Sequence, residues 1–318
     1  MLYSNSFKIN SFEIFSLFSK KNIANFRDFN LTTISSLDNP NDNSIFFIKT
    51  LNSDVEKKIK NVKNSIFITD KIIDSINNVF IQSSNPRLDF IKSVIHIYNT
   101  CDDNYNTDKF TTRNHNIIIS NSSRISNSAK IYPNVYIGPN NIIGDNTIIY
   151  PNVSIIGNTT IGDNCVIGAN SVIGNHGFGG ERDKSGKIFM MPHLGGVILK
   201  NNVQIGASNT VVAGTINPTI IGEYTKLDDH VHFAHNCIAG KSCFITACTQ
   251  LSGSVKIGDN VWIGPNTAFK QGLNISSGST IGIGAVVTKN VNINQTVAGN
   301  PATDLKTIVK QRNFFKNI

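Results

Sequence analysis

The chain has 318 residues, enough for two domains, with a formal charge of +8 and 16% charged residues. No Lys/Arg block with interleaved aromatics appears, which argues against nucleic acid; a mildly basic surface suits a phosphorylated ligand or an acidic carrier protein. No apolar run reaches the ~20 residues of a membrane span, and the start lacks a signal-peptide layout, so we expect a cytoplasmic protein without membrane insertion.

Residues 1–115 show no repeat. Short β-rich runs lie at Ser44–Ile48, 65–69 and Val79–Gln82. Asn85-Pro86 then opens a helical pattern, with Leu88, Ile91, Val94, Ile95 and Tyr98 at three- and four-residue steps. This predicts a small α/β domain over 1–115, a candidate nucleotide-binding unit, with the polar stretch 101–116 as linker.

From there a six-residue period takes over. Ile125, Ile131, Ile137, Ile143, Ile149, Ile155, Ile161, Ile167 and Ile173 hold one register. Leu199, Ile205 and Val211 add about one coil, and after a slip near Asn217-Pro218 a second register runs from Ile221 to Ile293. No α-helix or ordinary hairpin sheet has this period. A solenoid does, with each hexad one flat side and three hexads one coil. Pairs such as Gly144-Asp145, Gly162-Asp163 and Gly258-Asp259 suit its corners. The expected fold is therefore an all-β solenoid, a left-handed parallel β-helix over 116–301 with about eight coils. Residues 174–196 break the register as an excursion too long for a corner. A basic tail, 302–318, carries Lys306, Lys310, Arg312 and Lys316 and suits one helix. The repeat alone leaves a purely structural or ice-binding solenoid open beside an enzyme.

The five cysteines, Cys101, Cys165, Cys237, Cys243 and Cys248, form no Cys-x-x-Cys pair and read as free packed thiols. The histidines are more suggestive. With Phe233 inward, His230, His232 and His235 point outward, where core packing cannot explain them. A neutral imidazole can take a proton from an amine or hydroxyl attacking a thioester, and a carboxylate can fix its tautomer. Gly253 lies one coil, eighteen residues, after His235, and Gln271 one coil further. Gly253 could bring an N–H to the oxyanion, and the column makes a groove for a thioester arm. The rival is a three-histidine zinc site supported by Asp228 or Asp229. No activated Ser or Cys nucleophile is visible, so direct attack of acceptor on thioester is the simpler chemistry.

These residues resemble the UDP-3-O-acylglucosamine N-acyltransferases of lipid A synthesis, from about residue 30 to residue 305. Ile34-Ser35-Ser36-Leu37, Ser44-Ile45-Phe46-Phe47 and Asn85-Pro86 match the family's uridine-binding domain. Gly177-Phe178-Gly179, preceded by His176, matches its Gly-Phe-Gly loop, and Phe233-Ala234-His235-Asn236 matches its Ile-Ala-His-Asn. The resemblance implies that His235 is the general base, that Asp228 precedes it as the matching acid, and that Gly253 supplies the oxyanion N–H. It implies sugar-nucleotide contacts at Phe46, His176, Gly177, Phe178, Gly179, His230, His232 and Asn236, no resident metal or cofactor, and a homotrimer.

Three departures bear on substrate and donor. The family's Phe-x-x-Asn-x-x-Tyr base contact is here Phe46, Lys49 and Asn52, without the tyrosine. A later family histidine aligns with Gly272, beside Gln271. The end lacks the family's long helical extension; Val297-Ala298-Gly299-Asn300-Pro301-Ala302 and Val261-Trp262-Ile263-Gly264 look instead like coenzyme A-dependent sugar acetyltransferases. The first reading is thus transfer of a short acyl group from acyl-CoA, such as acetyl-CoA, to the amine of a UDP- or dTDP-linked sugar. Gly264, Gln271, Gly272 and Lys289 would contact that donor. The second reading is the lipid A reaction with a long acyl chain on acyl carrier protein. The third is a non-catalytic trimeric binding scaffold.

Overall fold

The six-residue period becomes three flat faces of parallel two- and three-residue strands. The computed structural model describes residues 7–50, 52–72, 75, 77–101 and 108–316. On the first face Ile125 pairs with Ile143 and Ile143 with Ile161; on the second Ile131 pairs with Ile149 and Ile149 with Ile167. On the third Ile137 pairs with Ile155 and Ile155 with Ile173. The inward side chains stack into one apolar column, with Ile137, Ile149, Ile155, Ile167 and Ile173 fully buried. The register survives the breaks in the period: Ile173 pairs with Val211, and Val211 with Phe233. The solenoid is a left-handed parallel β-helix.

Corners are made differently from the expected Gly-Asp turn. The left-handed residue is the following one, an asparagine in the early coils: Asn134, Asn140, Asn146, Asn152, Asn158, Asn164 and Asn170 all have φ between 49° and 61°. Asparagine tolerates this region because its short amide bonds locally. Gly144 serves close approach instead, since a β-carbon there would lie 2.3 Å from Asp163 Oδ1. Coils are also tied through side chains. The Asp145 N–H donates to Asp163 Oδ1 at 2.8 Å, and the Lys241 N–H to Asp259 Oδ1 at 2.8 Å. Inside the prism small donors reach a carbonyl of the next coil: Thr147 to Gly162 O (2.9 Å), Thr225 to Gly240 O (2.8 Å) and Cys243 to Gly258 O (3.1 Å). Cys165, Cys237 and Cys243 are buried free thiols, whereas Cys248 is exposed at a corner. Burial raises the pKa of all three, that of Cys237 to about 12.

The other compact unit holds the N-terminal residues up to 101 together with Phe178–Gly195 and Thr215–Asn217. Its five-stranded sheet runs in the order Ile23–Ala24, Val79–Gln82, Ile66–Thr69, Ser44–Ile48, Thr33–Ile34. The first pairing is antiparallel and the others are parallel. Helix α1 covers Ser11–Phe15, α2 Ser53–Ile59 and α3 Pro86–Cys101. Asn85 Oδ1 caps α3 by accepting the Leu88 N–H, and Phe90, Ile91, Val94 and Ile97 bury its inner face. The excursion forms a hairpin, Gly180–Arg182 against Ile188–Met190. Phe189, Met191 and Leu194 pack with the core that α3 covers, and Arg87 meets Glu181 at 3.5 Å. These apolar side chains thus hold the excursion to the α/β unit.

In the expected linker, Phe110–Arg113 pairs antiparallel with Ile117–Ser120, and residues 102–107 lie outside the described ones. The tail forms helix α4, Leu305–Lys316. Among the described residues no helix is long and apolar enough to cross a membrane.

Candidate functional site

The third face carries the candidate site. Its register pairs Phe233 with Leu251, Leu251 with Phe269 and Phe269 with Val287. Two residues beyond each inward side chain stand His235, Gly253, Gln271 and Lys289, one column at the corner. A β-carbon on Gly253 would lie 2.4 Å from Cε1 and 2.6 Å from Nε2 of His235. The imidazole therefore occupies the space that only a glycine leaves open. Its Nδ1 faces Asn236 Oδ1 at 3.2 Å. With the proton on Nδ1 and shared with that oxygen, Nε2 keeps its lone pair on the Gly253 side. Asn236 holds the left-handed corner (φ 59°), and its N–H donates to the buried Thr219 Oγ1 at 2.9 Å. Thr219 escaped the sequence reading because it sits in the slip between registers, where no repeat marks it.

Gly253 is buried, and its carbonyl accepts the Gly272 N–H at 3.0 Å. Among the described residues its own N–H meets no acceptor. Buried backbone N–H groups are rarely left so.

The remaining candidates divide by position. His232 lies on the flat outer side of the third face, half-buried, with Thr210 and Gln250 as register neighbours. Burial, then the charge of His235, lowers its pKa, so it is neutral near pH 7. His230 is exposed and forms the preceding left-handed corner (φ 60°), so it shapes the turn into His232. Asp228 is exposed, and its carboxylate accepts the Asp229 N–H at 2.9 Å, capping its own turn. The Asp229 carboxylate accepts the Ala207 N–H at 2.6 Å. Among the described residues no group of three or more His, Cys, Asp or Glu side chains is arranged to hold a metal ion.

Among the expected donor contacts, Gln271, Gly272 and Lys289 are exposed at the His235 corner. Gly264 is not with them. It follows Trp262–Ile263 of the second face, and a β-carbon on it would lie 2.7 Å from the Ile283 nitrogen. It is buried, at the opposite edge of the third face.

Phe46 is corrected outright. It is fully buried and stacks on Phe67 with ring centroids 4.7 Å apart, so it cannot meet a base. Its strand lies inside the sheet, where both faces are covered. Asn52 is spent on capping α2, accepting the Val55 N–H at 3.0 Å. His176 and Gly177 end a solenoid segment, while Phe178 and Gly179 begin the excursion, with Phe178 92% exposed.

Comparison with known proteins agrees with this architecture. The family model described as bacterial transferase hexapeptide (six repeats) matches residues 142–175. UDP-3-O-acylglucosamine N-acyltransferase of Caulobacter sp. (strain K31) is 38% identical over 135 residues, 42% of this chain and 39% of that one. The protein of the same name from Campylobacter lari is 35% identical over 140 residues, 44% of this chain and 42% of the relative. The chain thus spans about two-fifths of the length of these relatives. A solved structure of LpxA from Acinetobacter baumannii superposes with a TM-score of 0.54 and 28% identity, covering 64% of this chain and 77% of that one. The chain is thus similar to UDP-3-O-acylglucosamine N-acyltransferases over about two-fifths of its length, and its solenoid carries the bacterial transferase hexapeptide repeat and the coil architecture of that solved structure.

Proposed function

We propose that the protein is an N-acyltransferase, moving an acyl group from a thioester to the amino group of a UDP-linked 3-O-acylglucosamine. The observation that carries this reading is the His235 ring seated over Gly253, whose N–H meets no acceptor among the described residues. The amine nitrogen attacks the thioester carbon, and His235 Nε2 takes the proton it sheds. The carbonyl oxygen, now negative, accepts the Gly253 N–H. Collapse breaks the carbon–sulfur bond, and the imidazolium returns the proton to the departing thiolate. We assign the orienting of His235 to Asn236 rather than Asp228, because Asn236 Oδ1 faces Nδ1. Gln271, Gly272 and Lys289 continue the column and would line the path of the thioester arm.

The relatives' names favour the lipid A reading over short-chain transfer from acetyl-CoA. We therefore put a long-chain acyl donor on acyl carrier protein first and acyl-CoA second. A homotrimer would wall the open side of the column. The test is a transfer assay on UDP-3-O-acylglucosamine with each donor. Amide formation from the carrier-protein donor supports the proposal. Transfer only from acetyl-CoA restores the short-chain reading, and no transfer from either leaves a binding scaffold.

A further inference from the structure

We infer that Cys237, a buried thiol inside the prism, is a positioning residue that aims the Gly253 N–H at the reacting carbonyl; this rests on the acyl-transfer reading of the same site. Cys237 is fully buried, and its thiol donates to Ser252 O at 3.1 Å. Ser252 O and Gly253 N belong to one peptide unit. That peptide is trans, the Asn300-Pro301 bond being the cis one among the described residues. In a trans peptide the C=O and N–H point in opposite directions. Drawing the carbonyl inward to the thiol therefore turns the Gly253 N–H away from the interior.

The thiol suits this task. Burial pushes its pKa to about 12, so it keeps its proton and stays a donor. The device itself is general in this solenoid. Thr225 and Cys243 make the same inward bond to Gly240 O and Gly258 O. The residue following each of those carbonyls, Lys241 or Asp259, has its N–H closed by a side-chain oxygen, Asp259 Oδ1 or Ser277 Oγ. At Cys237 the peptide so turned presents an N–H that no described residue closes. A tie that at Thr225 and Cys243 serves stacking here leaves a buried donor available.

The test uses Cys237→Val, which keeps an apolar filling of similar size, and Cys237→Thr, which restores a donor of the kind found at Thr225. Cys237→Val should lower kcat at least about tenfold with KM and melting temperature close to wild type. Cys237→Thr should recover most of that rate. In glycine-labelled protein the Gly253 amide resonance should shift in Cys237→Val and return in Cys237→Thr, a readout that needs no turnover. A wild-type kcat in Cys237→Val, or an unmoved Gly253 resonance, overturns the inference. His235→Ala runs in the same assay. If it loses activity while Cys237→Val does not, the positioning role fails and the acyl-transfer reading stands. If it keeps full rate while the Gly253 resonance still answers to Cys237, the reaction assignment fails and the orienting bond stands.

Discussion

Two corners of the same prism close their backbone differently. At the corner after the first face, several N–H groups find a side-chain oxygen one coil on: Asp163 to Asn201 Oδ1 at 3.0 Å, Lys241 to Asp259 Oδ1 at 2.8 Å, Asp259 to Ser277 Oγ at 3.0 Å. At the corner after the third face, the equivalent residues are His235, Gly253 and Gln271. There the Gly253 N–H meets no acceptor among the described residues, and an imidazole lies against the glycine. Stacking energetics are alike at both, since the inward Ile257 and Leu251 are both buried. On the proposed reading, what marks the His235 corner is a buried N–H met by no described acceptor together with an imidazole lying against it.

The comparison breaks most sharply at glycine. In Gly253→Ala the new methyl would lie 2.4 Å from His235 Cε1. The ring must move, and we expect kcat to fall on the order of 10²-fold, as for a misplaced catalytic group. Asp259→Ala at the structural corner removes the acceptor of the Lys241 N–H. It should cost about 1 kcal/mol of stability and leave kcat unchanged. Paired steady-state kinetics and denaturant melts check both; equal rate losses would erase the distinction between the corners.

Next in size is the orienting bond. Asn236→Ala removes the oxygen facing His235 Nδ1 and should lower kcat about thirtyfold, or about 2 kcal/mol, within the ~1.5–3 kcal/mol of a bond to a charged group. Asp228→Ala, which loses only a local cap, should lower it less than twofold by the same scale. The reverse ranking would return the role to the carboxylate.

The smallest effect is on stability against pH. His232 has a pKa lowered from 6.5 by burial and then by His235. The unfolded chain therefore binds more protons as pH falls below about 6.5, and folded stability drops there. Above that value the loss is absent. Urea melts at pH 7.5 and 5.5 should show a shallower acid loss for His232→Gln than for wild type. Identical slopes would remove His232 from the account.

The isoleucine period makes the prism legible, and eighteen-residue spacing alone puts Gly253 beside His235. Other features do not follow from periodicity. Phe46 lies in an Ile-Phe-Phe-Ile run covered on both faces, so alternation does not say which ring reaches solvent. The excursion packs with the α/β unit through Phe189, Met191 and Leu194, scattered residues that no repeat connects to α3. Corner chemistry was legible only in part. Gly-Asp pairs marked the turns, but the left-handed residue follows them, which is why Asn236 and His230 are turn residues first.

The most direct test of the reactive corner is kcat of His235→Ala under conditions where chemistry limits the rate, on protein whose oligomeric state and sugar affinity match wild type. An outward, half-buried ring adds little to the core, so folding should survive. The account predicts a fall of about 10²–10⁴-fold, the range for losing a general base. A rate within twofold of wild type would contradict it.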